Sequence, residues 1–425
     1  MKRTIIALVA AVMAGSAQAA GRDSGPLAAS VADIGAASPD VSMPAEGVYC
    51  ADKTGAGENK FCGVSRGERK QYIAGASLWL PEESLDTAAL DFGRGPFTPL
   101  RYKPEENVNC SYIPKEGSIS GKTPKFKCRD LRDGKSIKVK YGVDNGEVYA
   151  EVAASWVLTA IGAYADRMYP VRLTCPDCPS DPFYNESDKG SWRPGARVAV
   201  EDKLGERIEV KADSGISFAE FHLIQDRVGA EALIGLTHFL GNSDNKASNQ
   251  AIVCKKEDIR EEGGRARCAK PVIYMQDMGV TFGVGGVMFL SRGKMDFDGW
   301  ASVPVWDDPA ACIMYLQKFA TSSLDGTDDS GRNMHQIGEQ ARRMLVRRLS
   351  LLSREQLINI FTAARAPARQ PLHSAEEWAD LYLKKVEELR NPRKAGNGGA
   401  GFACKYDIVP ANSAPIPPPV PDWTK

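Results

Sequence analysis

Three polar side chains between residues 240 and 277 have the types and the spacing for chemistry on a phosphate. Asp244 and Asn249 stand five residues apart in the polar decapeptide 240–249 (LGNSDNKASN), directly after an apolar run over 232–240. Asp277 follows in Tyr274-Met-Gln-Asp-Met-Gly279. A loop carboxylate can take or orient a hydroxyl proton, while an amide oxygen and a second carboxylate hold a divalent cation on phosphate oxygens. Taken alone, Asp-x4-Asn carries little weight, because Asp, Asn and Ser also fill ordinary loops. Its value depends on partners upstream and on elements that bring the three together.

The positioning elements can be read in outline. Residues 250–254 and 271–275 are apolar and strand-like, with a charged stretch between them; pairing them brings Asn249 and Asp277 to the same end of one hairpin. Upstream, a small-residue loop over 117–128 runs into a strand. After the turn at Asp133-Gly134 comes the alternating strand 136–142, with Ile137, Val139 and Tyr141 on one face and Lys138 and Lys140 on the other. Such a hairpin could present backbone N–H groups and a lysine to phosphates; taken alone it reads rather as an ordinary amphipathic hairpin with solvated lysines. The next helix, 147–162, has apolar positions 148, 152, 156, 157, 160 and 161, which predicts one buried face. Glu151 stands beside that stripe, within reach of a strand lysine.

The rest of the chain supplies scaffolding. A strand is expected over 76–80, and a hairpin from 197–200 and 207–210 around Leu204-Gly205. A capping box, Ser217 with Glu220, opens the helical stretch leading to the decapeptide. Gly283 to Gly286 form a glycine loop. Helices follow over 333–352, behind Ser353 with Gln356, and behind Ser374 with Glu377. Arg342, Arg343, Arg347 and Arg348 read as a solvated face. Asp91-Phe-Gly93 looks like a metal motif but lies far upstream in a Pro/Gly-rich stretch, where it is coincidence. There is no internal repeat.

Composition bounds the function classes. The chain has 425 residues, 43% of them hydrophobic, enough for one large or two ordinary cores. With 54 basic and 54 acidic residues the formal net charge is zero, which argues against binding nucleic acid or a membrane surface through bulk charge. Lys2 and Arg3, an apolar run and Ala17-Gln-Ala19 read as a signal peptide over 1–19, cleaved after Ala19. No later run is long enough to span a membrane. The chain is therefore expected to be exported, to periplasm or beyond. Ten cysteines fit that oxidising destination. Connectivity is not fixed by sequence; pairing neighbours gives Cys50–Cys62, Cys110–Cys128, Cys175–Cys178 and Cys254–Cys268, leaving Cys312–Cys404. With only four histidines and no second CxxC, Cys175-Pro-Asp-Cys178 reads as a disulfide rather than half a zinc site.

With these parts in order, the chain resembles the HipA family of bacterial Ser/Thr kinases and, more distantly, phosphatidylinositol-type kinases. Ser118-Ile-Ser-Gly-Lys-Thr-Pro-Lys125 looks like that family's phosphate loop, S-x-x-G-x-x-x-K. Lys140 before Tyr-Gly looks like its ATP lysine, and Glu151 like the helix glutamate that pairs with it. Residues 241–249 are similar to G-N-x-D-x-H-x-x-N, with Lys246 in place of the usual histidine. The resemblance covers roughly 115–300 and a helical lobe; the first hundred residues and the cysteines have no counterpart in it. It implies an α+β, two-lobed, protein-kinase-like fold, to which the cysteine count adds disulfides: a small β-rich N-lobe with one helix, and a larger, mainly helical C-lobe. The expected division is a loose leader over 20–45, an extension and N-lobe over 46–214, a C-lobe over 215–393 and a Gly/Pro-rich tail over 394–425. The cofactors implied are ATP and Mg2+. Asp244 would be the base, with Lys246 steadying the transferred group. Asn249 and Asp277 would hold the metal, and Gly121, Lys122, Thr123, Lys140 and Glu151 would serve the phosphates. The acceptor hydroxyl, on protein or small molecule, is not named by any motif. Rival readings are a non-catalytic, pseudokinase-type binding module and an AMP transferase on the same fold.

Overall fold

The computed structural model describes residues 60–61, 63–115, 117, 121, 123–210, 215–284, 294–316, 324, 333–392 and 402–404. The leader over 1–45, Lys122, the Cys50–Cys62 pair, Gly285, Gly286 and all but three residues of the tail lie outside them. The first half of the chain contains helix α1 (Arg66–Gly75), strands β1 (Asn107–Ile113), β2 (Lys125–Asp130) and β3 (Ser136–Lys140), helix α2 (Gly146–Ala160), and strands β4 (Arg167–Thr174), β5 (Ala196–Asp202) and β6 (Glu206–Arg207). Next come α3 (Arg227–Phe239), β7 (Gln250–Cys254), β8 (Ile259–Glu262), β9 (Arg265–Cys268) and β10 (Pro271–Met275). The chain continues with α4 (Phe297–Ser302), β11 (Trp306–Asp308), β12 (Ile313–Met314), α5 (Glu339–Leu349), α6 (Arg354–Ala363), α7 (Ala366–Arg369) and α8 (Ala375–Arg390). The class is mixed α+β, as the sequence predicts.

Strands β1–β5 close into a barrel in the order β1-β2-β3-β5-β4, antiparallel except at the β1–β4 seam. Closure leaves no free sheet edge. The alternation of β3 sorts the faces as expected. Val139 lies opposite Phe126 and Val200 in the buried ladder, while Lys140 lies opposite Lys125 and Ala199 on the other face.

Helix α2 departs from the one-stripe expectation: every residue except Thr159 is buried. It packs on β4 and β5 of the barrel and also on α6 and α7, and a helix covered all round carries no stripe to read. Asn145 fixes its start, accepting from the Glu147 backbone N–H and donating to the Tyr141 carbonyl. The first turn of α2 is thereby tied to the end of β3.

Residues 197–200 and 207–210 do not form the expected hairpin. Both edges of β5 are taken by β3 and β4, and β6 pairs with β7 in a second sheet of order β10-β7-β6. Residues 203–205 therefore run from barrel to second sheet. Gly205 passes so close that a Cβ there would lie 2.3 Å from the Cys254 carbonyl oxygen. The strand expected over 76–80 is reduced to two isolated bridges, Ser77 with Val272 and Trp79 with Ala163. The Ser217–Glu220 capping box forms, but it opens a 3-10 turn (Phe218–Leu223), and α3 starts separately behind Asp226.

The arginine face is also corrected. Arg343 and Arg347 are exposed, whereas Arg342 and Arg348 are buried. Arg342 donates to Glu339 and to the Leu389 and Arg390 carbonyls; Arg348 donates to the Ile161 and Leu80 carbonyls. Both guanidiniums satisfy carbonyls at helix C-termini, which have no partner within their own helix. The caps Ser353/Gln356 and Ser374/Glu377 form as read. Disulfides join Cys110–Cys128, Cys175–Cys178, Cys254–Cys268 and Cys312–Cys404. Among the described residues no helix is long and apolar enough to cross a membrane.

Candidate functional site

Lys140 ends β3 and is 2% exposed. Its ammonium donates to Glu151 on α2, and it stands 3.8 Å from Asp277 Oδ1. Lys138, two residues earlier on the same face, is engaged by Glu201 of β5 at 2.5 Å. The two lysines left open by their alternation are thus separated: Lys140 is the one beside Glu151 and Asp277.

The β7–β10 pairing does what the sequence predicts for Asn249 and Asp277. Gln250 lies opposite Met275, and the Gln276 N–H donates to the Asn249 carbonyl at 2.8 Å. Both candidate metal ligands therefore leave the same end of the hairpin. The Asn249 amide nitrogen donates to the Asp244 backbone carbonyl, which ties residues 244–249 together. Asp277 Oδ1 accepts from the Gly279 N–H at 3.3 Å.

Asp244 is placed differently. Lys246 Nζ lies 2.9 Å from both of its carboxylate oxygens, with the two side chains 45% and 22% exposed. The loop leaves α3 through Gly241, whose φ of +66° is a left-handed conformation that favours glycine. It is braced from within: Asn245 donates to the Asn242 carbonyl, and Asn242 donates to Met278 Sδ at 3.3 Å.

Electrostatics separate the charged groups. Burial opposes the charge on Asp277, but the Lys140 ammonium, a hydrogen bond with Glu151, the Lys138 charge and the Gly279 N–H together outweigh it and hold this carboxyl well below its ordinary range. Burial pushes Glu151 up, against the pull of Lys140. Burial acts to lower Lys140, yet Asp277 and Glu151 together raise it well above the ordinary lysine value. Asp277, held low, stays ionised, as a metal ligand must.

Of the candidate phosphate-binding residues 121–123, Gly121 and Thr123 are among the described residues. Gly121 adopts a φ of +85°, and a Cβ there would lie 3.0 Å from Lys125 Nζ. The Thr123 hydroxyl donates to Glu147, a residue missing from the sequence-derived set. Glu147, Glu151 and Asp277 each offer a carboxylate oxygen within 4.8 Å of the others. The signal was available, since Glu147 and Glu151 are four apart and share one helix face. Lys125, directly opposite Lys140 in the register, is a further cation on this side. Burial and the charges of Lys138 and Lys140 lower its pKa.

These donors suit Mg2+, which takes oxygen ligands and keeps several waters. Asp277 is ionised, and the bond from the Asn249 amide nitrogen reserves its amide oxygen for another partner.

No protein-family model and no curated protein matches the chain. Among solved structures, the crystal structure of a Helicobacter pylori proinflammatory kinase, CtkA, aligns over 68% of this chain and 94% of that one. The identity is 12% and the TM-score 0.35. A likeness at that level carries no residue-by-residue weight, and the geometry above stands by itself.

Proposed function

We propose that this protein is an exported, HipA-like, kinase-type phosphotransferase that moves the terminal phosphoryl group of Mg2+-ATP to a hydroxyl acceptor. The observation that carries this reading is Lys140, buried between Glu151 and Asp277 where Asp277 leaves the hairpin beside Asn249. A buried cation next to two metal-type ligands is what nucleotide phosphates require. In this reading the barrel side (46–214) and the helical side (215–393) act as the two lobes. Lys140, oriented by Glu151, and the loop residues Gly121, Lys122 and Thr123 neutralise the phosphates. Asn249 and Asp277 hold Mg2+, which supplies positive charge on the phosphate oxygens. Asp244 orients the acceptor hydroxyl and takes its proton as the new O–P bond forms; ADP leaves with the electrons of the old one. Lys246 moves from Asp244 to the transferred group. The four disulfides among the described residues support a destination outside the reducing cytosol, where the nucleotide must come from a host compartment or a released pool.

The test is intact-mass analysis of the oxidised protein and candidate acceptors after incubation with Mg2+-ATP, beside Asp244→Ala. Phosphate gained with the wild type alone supports the assignment. Gain retained in Asp244→Ala removes Asp244 from its role. A gain of AMP would redirect the reading to AMP transfer. No gain, together with no Mg2+-nucleotide thermal shift, would make the chain a non-catalytic binding module.

A further inference from the structure

The reaction outlined above leaves one buried carboxylate at its centre unused. Glu147 opens α2 one turn ahead of Glu151 and is 8% exposed. It meets three segments that are far apart in sequence. Its Oε2 accepts from the Thr123 hydroxyl at the end of the small-residue loop. Its Oε1 accepts from the Lys294 ammonium. Its stem fills the space beside Gly279, where a Cβ would lie 2.7 Å from Glu147 Cγ. Gly279 is in turn the residue whose N–H holds Asp277. The backbone repeats the contact with Lys294: a Cβ on Gly146 would come within 2.4 Å of the Lys294 carbonyl oxygen. Lys294 is itself followed by residues anchored beyond Gly279, since the Met295 and Asp296 N–H groups donate to the Thr281 and Phe282 carbonyls.

We propose that Glu147 is a positioning residue that sets the phosphate loop against the metal-binding turn. Fixed to β3 through the Asn145 cap, the first turn of α2 gives it a rigid base beside Lys140. From there one carboxylate holds Thr123 on one oxygen and Lys294 on the other, while its stem backs the turn bearing Asp277. Charge-assisted hydrogen bonds in a buried site are among the stronger polar contacts. Losing them lets Thr123 and the Asp277 turn move independently. Glu147 does not touch the reacting atoms; it acts through Thr123, Lys294 and Gly279. This role rests on the phosphotransferase reading.

Its test uses the oxidised full-length protein. Amide hydrogen exchange over residues 123–126 and 294–297 is compared in wild type, Glu147→Gln, Thr123→Val and Lys294→Met, beside nucleotide KM and kcat. Glu147→Gln is expected to speed exchange in both segments and to raise the nucleotide KM about tenfold, with a smaller change in kcat. Thr123→Val should affect only the first segment and Lys294→Met only the second. The exchanged pair Glu147→Lys with Lys294→Glu should recover part of the lost KM. If Glu147→Gln does not fold, the two single-arm variants still decide the matter. Unchanged exchange and KM in a wild type that does take Mg2+-nucleotide would overturn the role of Glu147 alone. A wild type that takes no nucleotide overturns both readings, because nothing is left to position.

Discussion

Asp277 and Asp244 are the two carboxylates the proposed reaction needs, and they are supported in opposite ways. Asp277 belongs to a group assembled around the buried Lys140 from segments far apart in the chain: β3 supplies Lys140, α2 supplies Glu147 and Glu151, and the hairpin end supplies Asp277 beside Asn249. Asp244 is paired within its own loop by a lysine two residues away; the two carboxylates, 22% and 36% exposed for Asp244 and Asp277, differ chiefly in their cations, Lys246 being 45% and Lys140 2% exposed. The first arrangement exists only in the folded chain and keeps its geometry without help. The second costs little to form and little to rearrange, which suits a group that must release its partner to meet a substrate.

The widest break in this comparison is functional. Asp244→Ala should lower transfer by about 10²–10⁴-fold while the Mg2+-nucleotide thermal shift persists, whereas Asp277→Ala should remove both. Loss of nucleotide binding in Asp244→Ala would erase the distinction.

Stability separates the two sides next. Lys140→Met strands the buried Glu151 carboxyl and leaves Asp277 without its cation, and should cost about 3–5 kcal/mol in urea unfolding. A cost within about 1 kcal/mol would mean that the cluster is solvated.

Acid should reach the loop side first. His238, in the last turn of α3 just ahead of the 240–249 loop, is buried against His335, and burial followed by the neighbouring ring pushes its pKa down to about 3. The unfolded chain takes up this proton near pH 6.5. The stability His238 contributes is therefore complete above that value and is lost as pH falls towards 3, by about 1.4 kcal/mol per unit. Asp277, depressed below its ordinary value, contributes stability above about pH 4 that fades only as pH drops further. Thermal melts from pH 7 to 4.5 should slope downward in the wild type and flatten in His238→Gln. Equal slopes would place the acid sensitivity elsewhere.

The smallest effect is expected from Lys246→Met. Being half-exposed, the pair with Asp244 should be worth no more than about 1 kcal/mol of stability, although transfer should fall well beyond what that loss explains.

What was legible in the sequence follows the same division. The meeting of Asn249 and Asp277 could be read because two apolar strands have one simple pairing, and the Cys254–Cys268 bridge closes the segment between them. The helix caps at Ser353 and Ser374 could be read because a capping box is complete within four residues. The partners of β5 and β6 were not legible, since nothing local says that a barrel has already claimed both edges of β5. Arg342 and Arg348 look like their exposed neighbours Arg343 and Arg347 until the carbonyls they satisfy, on α8 and at the end of α2, are in place. Glu147 was missed for a related reason. Its helix position is plain, but Lys294 is 147 residues away.

The bridge from Cys312 to Cys404 encloses α5, α6, α7 and α8 in one covalent ring with a sequence separation of 92 residues. A protease that nicks the chain once inside that ring severs a peptide bond without parting the molecule. The clipped protein should run at full length on a gel without reductant and as two fragments with it.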